Sequence, residues 1–301
     1  MDIVLTGANG AVGTALLGHL RAGVLAGTSR LRALVRHAAG AASLQQQGAE
    51  VVVVDYGQPQ ALQEAMVGAE VVVHLAGALF PRRGETLQQA NVDTTSALVA
   101  AAAAVGVKTL VYLSFPGADE TSQNAYLRTK GLAEASIQQS GCAGAIFRVP
   151  MILGPQSPSA MQLRRMARAP LLPLVSGGAV RIQPLAEADV LAALTWALTT
   201  APHPLRCVNL VGPETLSYGA LVRHVAARLG RHPRVLTIPW GAAWLSACLT
   251  GACLPTLGWN RTVFDILCRA HLADPAEACA LLPFALTPLQ DALDHAMSVR
   301  D

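Results

Sequence analysis

Lysine is nearly absent from this chain: Lys108 and Lys130 stand against twenty arginines. Where almost every basic position is arginine, a lysine marks a place that arginine does not serve. Charged residues of all kinds make up only 14% and hydrophobic residues 52%, which excludes a disordered chain. There is no long basic run. The groups Arg164, Arg165, Arg168 and Arg228, Arg231, Arg234 read as solvated helix faces, not as a nucleic-acid site. Cys142, Cys207, Cys248, Cys253, Cys268 and Cys279 form no Cys-x-x-Cys pair and no ligand spacing with the histidines. No metal site is expected, and the cysteines read as small core residues of a reducing compartment. No basic segment precedes the first strand, so no secretory signal is read and a cytoplasmic setting is expected. One stretch, Gly241 to Trp259, lacks charge altogether. It nears the length of a membrane span, but Pro255, three glycines and Ser246, Thr250 and Thr256 interrupt it. It reads as buried or pocket-lining, with a membrane-surface contact as the alternative.

What is present begins at once. Asp2-Ile3-Val4-Leu5 is an apolar strand, Thr6 to Gly13 a glycine-rich turn, and Ala15-Leu16-Leu17 the start of a helix. Glycines at 7, 10 and 13 let the backbone turn sharply and let a phosphate approach without a Cβ in the way. A helix start then offers unpaired N–H groups and a positive dipole end. Strand, loop and helix in this order fit the pyrophosphate of a dinucleotide, held by Gly7, Asn9, Gly10, Ala11, Val12 and Gly13.

Strands follow at 31–35, 51–54, 71–75, 109–113 and 145–149, with helices at 41–47, 59–66, 87–105 and 125–140 between them. The strands are mostly continuous apolar runs, as in strands covered on both faces. The expected fold is α/β: a doubly wound parallel sheet with a smaller mixed C-terminal substrate region. From Gly154 prolines break the alternation, which places a boundary near 155. Residues 1–155 then form a dinucleotide-binding core, and 156–301 a substrate region partly folded back on it.

A second constellation is Tyr126-Leu127-Arg128-Thr129-Lys130, which sets a phenol and an ammonium four residues apart on one helix face. A tyrosine titrates near 10 in water. An ammonium and an oxidised nicotinamide ring beside it would lower that towards neutrality. The phenol could then pass a proton to or from a substrate oxygen as hydride moves. The alternative is a helix with an exposed lysine and a half-buried tyrosine.

Together these residues resemble the short-chain dehydrogenase/reductases, in their extended or atypical branch. That group includes bacterial relatives of the nucleotide-binding accessory subunit of mitochondrial complex I, and mixes enzymes with cofactor binders that have lost catalysis. Thr-Gly-x-x-Gly-x-x-Gly matches the branch's glycine spacing. The resemblance implies cofactor contacts for Leu75, Ala76 and Gly77 in His74-Leu75-Ala76-Gly77, for Asn91, for Asp55 and Tyr56 after the third strand, and for Pro150 in Arg148-Val149-Pro150. It also implies that Lys130 holds ribose hydroxyls. Gln183 to Asp189 and Asp274 to Leu289 resemble later family segments. One departure stands out. Where the family's catalytic serine usually sits, Leu113-Ser114-Phe115-Pro116 carries Phe and Pro. Ser114 would act from a shifted place, or Thr121 or Ser122 would substitute.

At the end of strand two, an acid usually reads a free 2′-hydroxyl. Here Arg36 stands there with no acid near it in sequence. Arginine suits a 2′-phosphate, so NADP(H) is expected over NAD(H). Trp240, Trp244 and Trp259 suit a hydrophobic small-molecule substrate or a core helix equally. Arg164, Arg165 and Arg168 could alternatively clamp a phosphate or carboxylate. Three functions fit: a reductase or dehydrogenase on a carbonyl or alcohol, a redox epimerase with retained cofactor, or a cofactor-binding sensor or subunit. The family often pairs through helices such as 87–105 and 125–140, so a homodimer is possible.

Overall fold

The computed structural model describes residues 1–24, 30–80, 84–201, 204–254 and 258–298. Pro255 and Thr256 of the uncharged stretch lie outside them. In chain order the elements are β1 (Asp2–Thr6), α1 (Ala11–His19), β2 (Arg30–Val35), α2 (Ala41–Gln46), β3 (Glu50–Val53), α3 (Pro59–Met66), β4 (Val71–His74), α4 (Thr94–Ala104), β5 (Thr109–Ser114), α5 (Ala125–Gln138) and β6 (Ala143–Arg148). Then come β7 (Ile152–Leu153), α6 (Pro158–Arg168), β8 (Leu171–Val175), β9 (Arg181–Ile182), β10 (Leu185–Ala186), α7 (Glu187–Thr200), β11 (Arg206–Asn209), β12 (Leu216–Ser217), α8 (Tyr218–Arg228), β13 (Arg234–Ile238), α9 (Trp240–Cys253), α10 (Arg261–Cys268), α11 (Ala276–Leu281) and α12 (Leu289–Ala296).

One sheet of seven strands runs in the order β11-β6-β5-β4-β1-β2-β3, and β1 to β6 pair in parallel. This is the doubly wound Rossmann-like α/β fold. The strand order reverses between β1 and β4, where such sheets bind ligands at their carboxyl ends. Val4, Leu34, Val72, Leu110 and Ile146 carry the core across the sheet, closed by Leu62, Leu98 and Ile137 of α3, α4 and α5.

Two compact units divide the chain. The first is Met1–Arg148 with Val190–Val208, and the second is Val149–Asp189 with Asn209–Asp301. The first therefore ends at Arg148 and takes back most of α7 together with β11. The second contains three two-stranded sheets, β10-β7, β12-β9 and β13-β8. Its main core joins Leu163, Leu172, Leu221, Val225 and Leu293.

The expected single helix over 87–105 is two pieces. Gln88–Asp93 is a π-helical turn and α4 proper starts at Thr94. Such turns recur at functional sites. The arginines need correction too. Arg164 is not solvated: it is 2% exposed, and its guanidinium donates to the carbonyls of Pro155 and Ala296. A guanidinium spent on buried backbone is no anion clamp.

Candidate functional site

The glycine turn folds as its residue types require. Gly7 sits at φ +68°, and a Cβ there would lie 2.7 Å from the Leu75 backbone. Gly13 shows no unusual dihedral but a tighter fit: a Cβ would meet the Gly7 carbonyl at 2.4 Å. The Gly10 amide donates to that carbonyl at 2.9 Å and closes the turn. Asn9 and Gly10 face solvent, and Ala11 and Val12 form the first turn of α1. No side chain caps that end and no acid stands in its first turn, so its N–H groups are left for an anion.

The loop after β4 lies against this turn. Leu75 N–H donates to the Thr6 carbonyl at 3.2 Å, and Ala76 N–H to the Thr6 hydroxyl at 3.4 Å. Asn91, fully buried in the π-helical turn, holds the same loop from the other side. Its Oδ1 accepts from Ala78 N–H at 2.9 Å, while its Nδ2 donates to the Ala78 carbonyl at 3.0 Å and to Thr129 Oγ1 at 3.2 Å. Gly77 has room for no side chain, since a Cβ would stand 2.8 Å from Asn91 Oδ1.

Behind these loops runs a polar row that the sequence reading missed. Thr6, His74 and Tyr112 are register partners across β1, β4 and β5. Thr95 Oγ1 donates to the Asn91 carbonyl at 2.5 Å, so the His74 Nε2 at 2.9 Å is its N–H donor. The Nδ1 of His74 then accepts from Thr6 Oγ1 at 2.7 Å. Burial holds His74 down at about 3, with the Lys130 charge adding to it. The imidazole stacks on Tyr112, ring centroids 5.3 Å apart. The available signal was a polar residue at the same register position in three apolar strands.

Lys130 completes the row. It is 4% exposed, and its Nζ donates to Tyr112 Oη at 2.7 Å and to the Leu113 carbonyl at 2.8 Å. Burial brings its ammonium down to about 7, against the opposing pull of Glu134. Glu134 itself is held by Arg148, whose Nη2 donates to Oε2 at 2.6 Å.

Tyr126 departs from the expectation. Its ring packs edge-on against Phe115, centroids 5.6 Å apart. Burial pushes its phenol up, not towards neutrality. The ammonium expected to lower it is bonded to Tyr112 instead. Ser114, at the end of β5, is 4% exposed and its hydroxyl has no hydrogen-bond partner among the described residues. A buried orphan hydroxyl is costly unless a ligand satisfies it. Thr121 and Ser122 are absorbed in their own turn: Thr121 Oγ1 donates to Asp119 at 2.7 Å, and Ser122 Oγ accepts from Asn124 N–H at 3.2 Å.

At the other end of the row, Tyr56 is pushed up to about 12 by burial, despite a hydrogen bond with Thr6 and the nearby Arg36 charge. Asp55 caps the turn after β3, accepting from Gly57 N–H at 2.9 Å. Arg36 is exposed and ion-paired with Glu85, an acid 49 residues away in sequence. An acid remote in sequence thus reaches it in space. Pro150 falls in the second unit, between β6 and β7. Among the described residues no cluster of three metal-ligating side chains occurs, and no helix is long and apolar enough to cross a membrane.

The first unit therefore presents a Cβ-free cradle, an uncapped helix start and an orphan hydroxyl at the carboxyl ends of its strands. A dinucleotide fits that set. Comparison with known proteins agrees. A ceramide reductase of Caulobacter vibrioides is 29% identical over 238 residues, covering 79% of this chain and 73% of that protein. The subunit 9 of the NADH dehydrogenase 1 alpha subcomplex from Arabidopsis thaliana mitochondria is 25% identical over 188 residues, 60% of this chain and 46% of that one. Triphenylmethane reductase of Citrobacter sp., solved with NADP(H), superposes with a TM-score of 0.76 at 22% identity, covering 99% of this chain and 100% of that one. A family model described as NAD(P)H-binding matches residues 7–168. The chain belongs to this NAD(P)H-binding family, with relatives that include reductases and a complex I subunit.

Proposed function

We propose that this protein is an NADP(H)-dependent reductase acting on the carbonyl of an apolar small molecule. The observation that carries the reading is the buried, unsatisfied Ser114 hydroxyl at the end of β5, in the unit that carries the glycine cradle and Lys130. Gly7, Gly10 and Gly13 with the start of α1 would hold the pyrophosphate. Arg36 would take the 2′-phosphate, and Lys130 and Asn91 would stand towards the ribose. A reduced nicotinamide, when bound, supplies the hydride.

The chain's own residues supply the rest. Ser114 donates a hydrogen bond to the substrate oxygen and polarises the carbonyl. Tyr126, whose phenol burial keeps protonated, delivers the proton to that oxygen. Lys130, poised near neutrality, holds positive charge close to the forming alkoxide without leaving Tyr112. The name of the ceramide reductase supports an apolar substrate. A cytoplasmic setting fits cysteines that form no disulfide among the described residues and a need for NADPH.

Consumption of NADPH with a long-chain ketone tests this, with a sugar nucleotide as the control. Tyr126→Phe should lower kcat about a hundredfold or more while NADPH still binds. Unchanged turnover in Tyr126→Phe would remove the proton donor assigned here. A second reading, a cofactor binder without chemistry, is favoured by Phe115 and Pro116 in the usual serine positions. It requires that no carbonyl compound raise NADPH consumption.

A further inference from the structure

We propose that the outer face of α9 seats this protein on the surface of an anionic bilayer. Over its 14 residues α9 contains no charged side chain. A helix apolar all round belongs inside a core or a membrane, yet only one side of α9 is covered. Ala243 and Ala247 face inward and pack with Phe264 of α10. Gly241, Leu245, Leu249 and Ala252 share the opposite face and are exposed, Leu245 at 52% and Leu249 at 57%. The polar hydroxyl of Ser246 does not offset this. It donates to the Ala243 carbonyl at 2.7 Å and accepts the Trp259 indole N–H at 3.0 Å. Beside the helix, Leu254 and Leu267 are half exposed as well.

The geometry excludes crossing: 14 residues span about 21 Å, short of the roughly 30 Å hydrocarbon layer. A helix of this kind lies in the interface plane. Trp240, exposed at 41%, suits that level, where an aromatic body meets a wet boundary.

Charge selects the partner. Residues 229–272 carry Arg231, Arg234, Arg261 and Arg269 against Asp265 alone, and Asp265 is already paired with Arg269 at 2.9 Å. All four arginines are exposed. This segment's excess of three positive charges equals the net charge of the whole chain. A second copy seated on the same face would bring two patches of the same positive charge together, since a two-fold interface repeats the same patch on both sides. An anionic headgroup layer complements both these exposed cations and the exposed leucines. The inference stands on the surface of the second unit and does not rest on the reductase reading.

Sedimentation with phosphatidylcholine vesicles, with and without phosphatidylglycerol, tests it. The wild-type protein is expected to sediment with the anionic vesicles, less so as salt rises, and weakly with phosphatidylcholine alone. Leu245→Glu with Leu249→Glu should lower partition into anionic vesicles roughly a hundredfold. Both side chains are exposed, so circular dichroism and the melting transition should stay as in the wild type. Wild-type protein that remains in the supernatant with both vesicle types would overturn the proposal. So would a double variant that partitions as well as the wild type. A lipid-free dimer that the double variant turns into monomers would give the face to a second copy and overturn it equally.

Discussion

The two units of this chain are held together by different means. The first closes on a ladder of parallel strands and carries a polar row at one register position of the sheet. The second has only short two-stranded pieces and relies on side chains that clamp distant backbone. Gln183 exchanges two 2.9 Å bonds with the backbone of Ala273. Asp189 accepts from the N–H and hydroxyl of Thr287 at 2.9 and 2.7 Å. Glu214 accepts from Leu289 N–H at 2.8 Å, and Arg164 reaches the Ala296 carbonyl. A sheet writes itself into the sequence as apolar runs. A clamp does not, because one polar residue pairing across a hundred positions leaves no local pattern.

Predictions that break or sharpen this contrast follow in order of size. The first unit has clamps too, Arg32 among them. Arg32, 4% exposed in β2, pairs with Asp2 at 2.9 Å and donates to the carbonyls of Ala65 and Val67. Arg32→Met leaves these acceptors unpaired and should cost about 3 kcal/mol in denaturant unfolding, followed by circular dichroism. A loss as small as a surface substitution gives would mean the ladder needs no such clamp. Asp189→Ala should cost about 2 kcal/mol, and the loss should appear in the fluorescence of Trp240, Trp244 and Trp259, which lie in the second unit. The contrast fails if the far-UV signal of the whole chain moves by the same amount.

The polar row gives the first unit a sensitivity to acid. His74 is held at about 3, below its ordinary value of 6.5. Between those values the unfolded chain binds a proton that the folded chain does not, so stability falls as pH drops through that window. His74→Gln should flatten this slope between pH 6.5 and 3, read as melting temperature against pH. The smallest effect concerns Arg36. Glu85 competes for its guanidinium, so Glu85→Gln should tighten NADPH about tenfold and leave NADH unchanged in a titration of each.

Much of the first unit was legible. The order of strand, glycine turn and helix at residues 2–20 is as the sequence placed it, although α1 starts at Ala11 rather than Ala15, and Gly7 and Gly13 have physical reasons to be glycine. The resemblance pointed to Asn91 and to the loop at Leu75, Ala76 and Gly77, and the structure joins them directly. Hidden from sequence were the partners. Tyr126 and Lys130 share a helix face, yet the lysine turns to Tyr112 on a neighbouring strand, a pairing set by strand register. Glu85 reaches Arg36 from a loop after β4. Arg164 resembled its neighbours Arg165 and Arg168 until burial separated it from them.

Calorimetric titration of the wild-type protein and Arg36→Ala with NADPH and with NADH comes before the rest. Saturable binding of both, NADPH tighter by about tenfold or more, and loss of that preference in Arg36→Ala is the predicted result. Equal affinity for the two forms in the wild type would contradict the assignment of Arg36, and no saturable binding of either would contradict the reading of the glycine cradle itself.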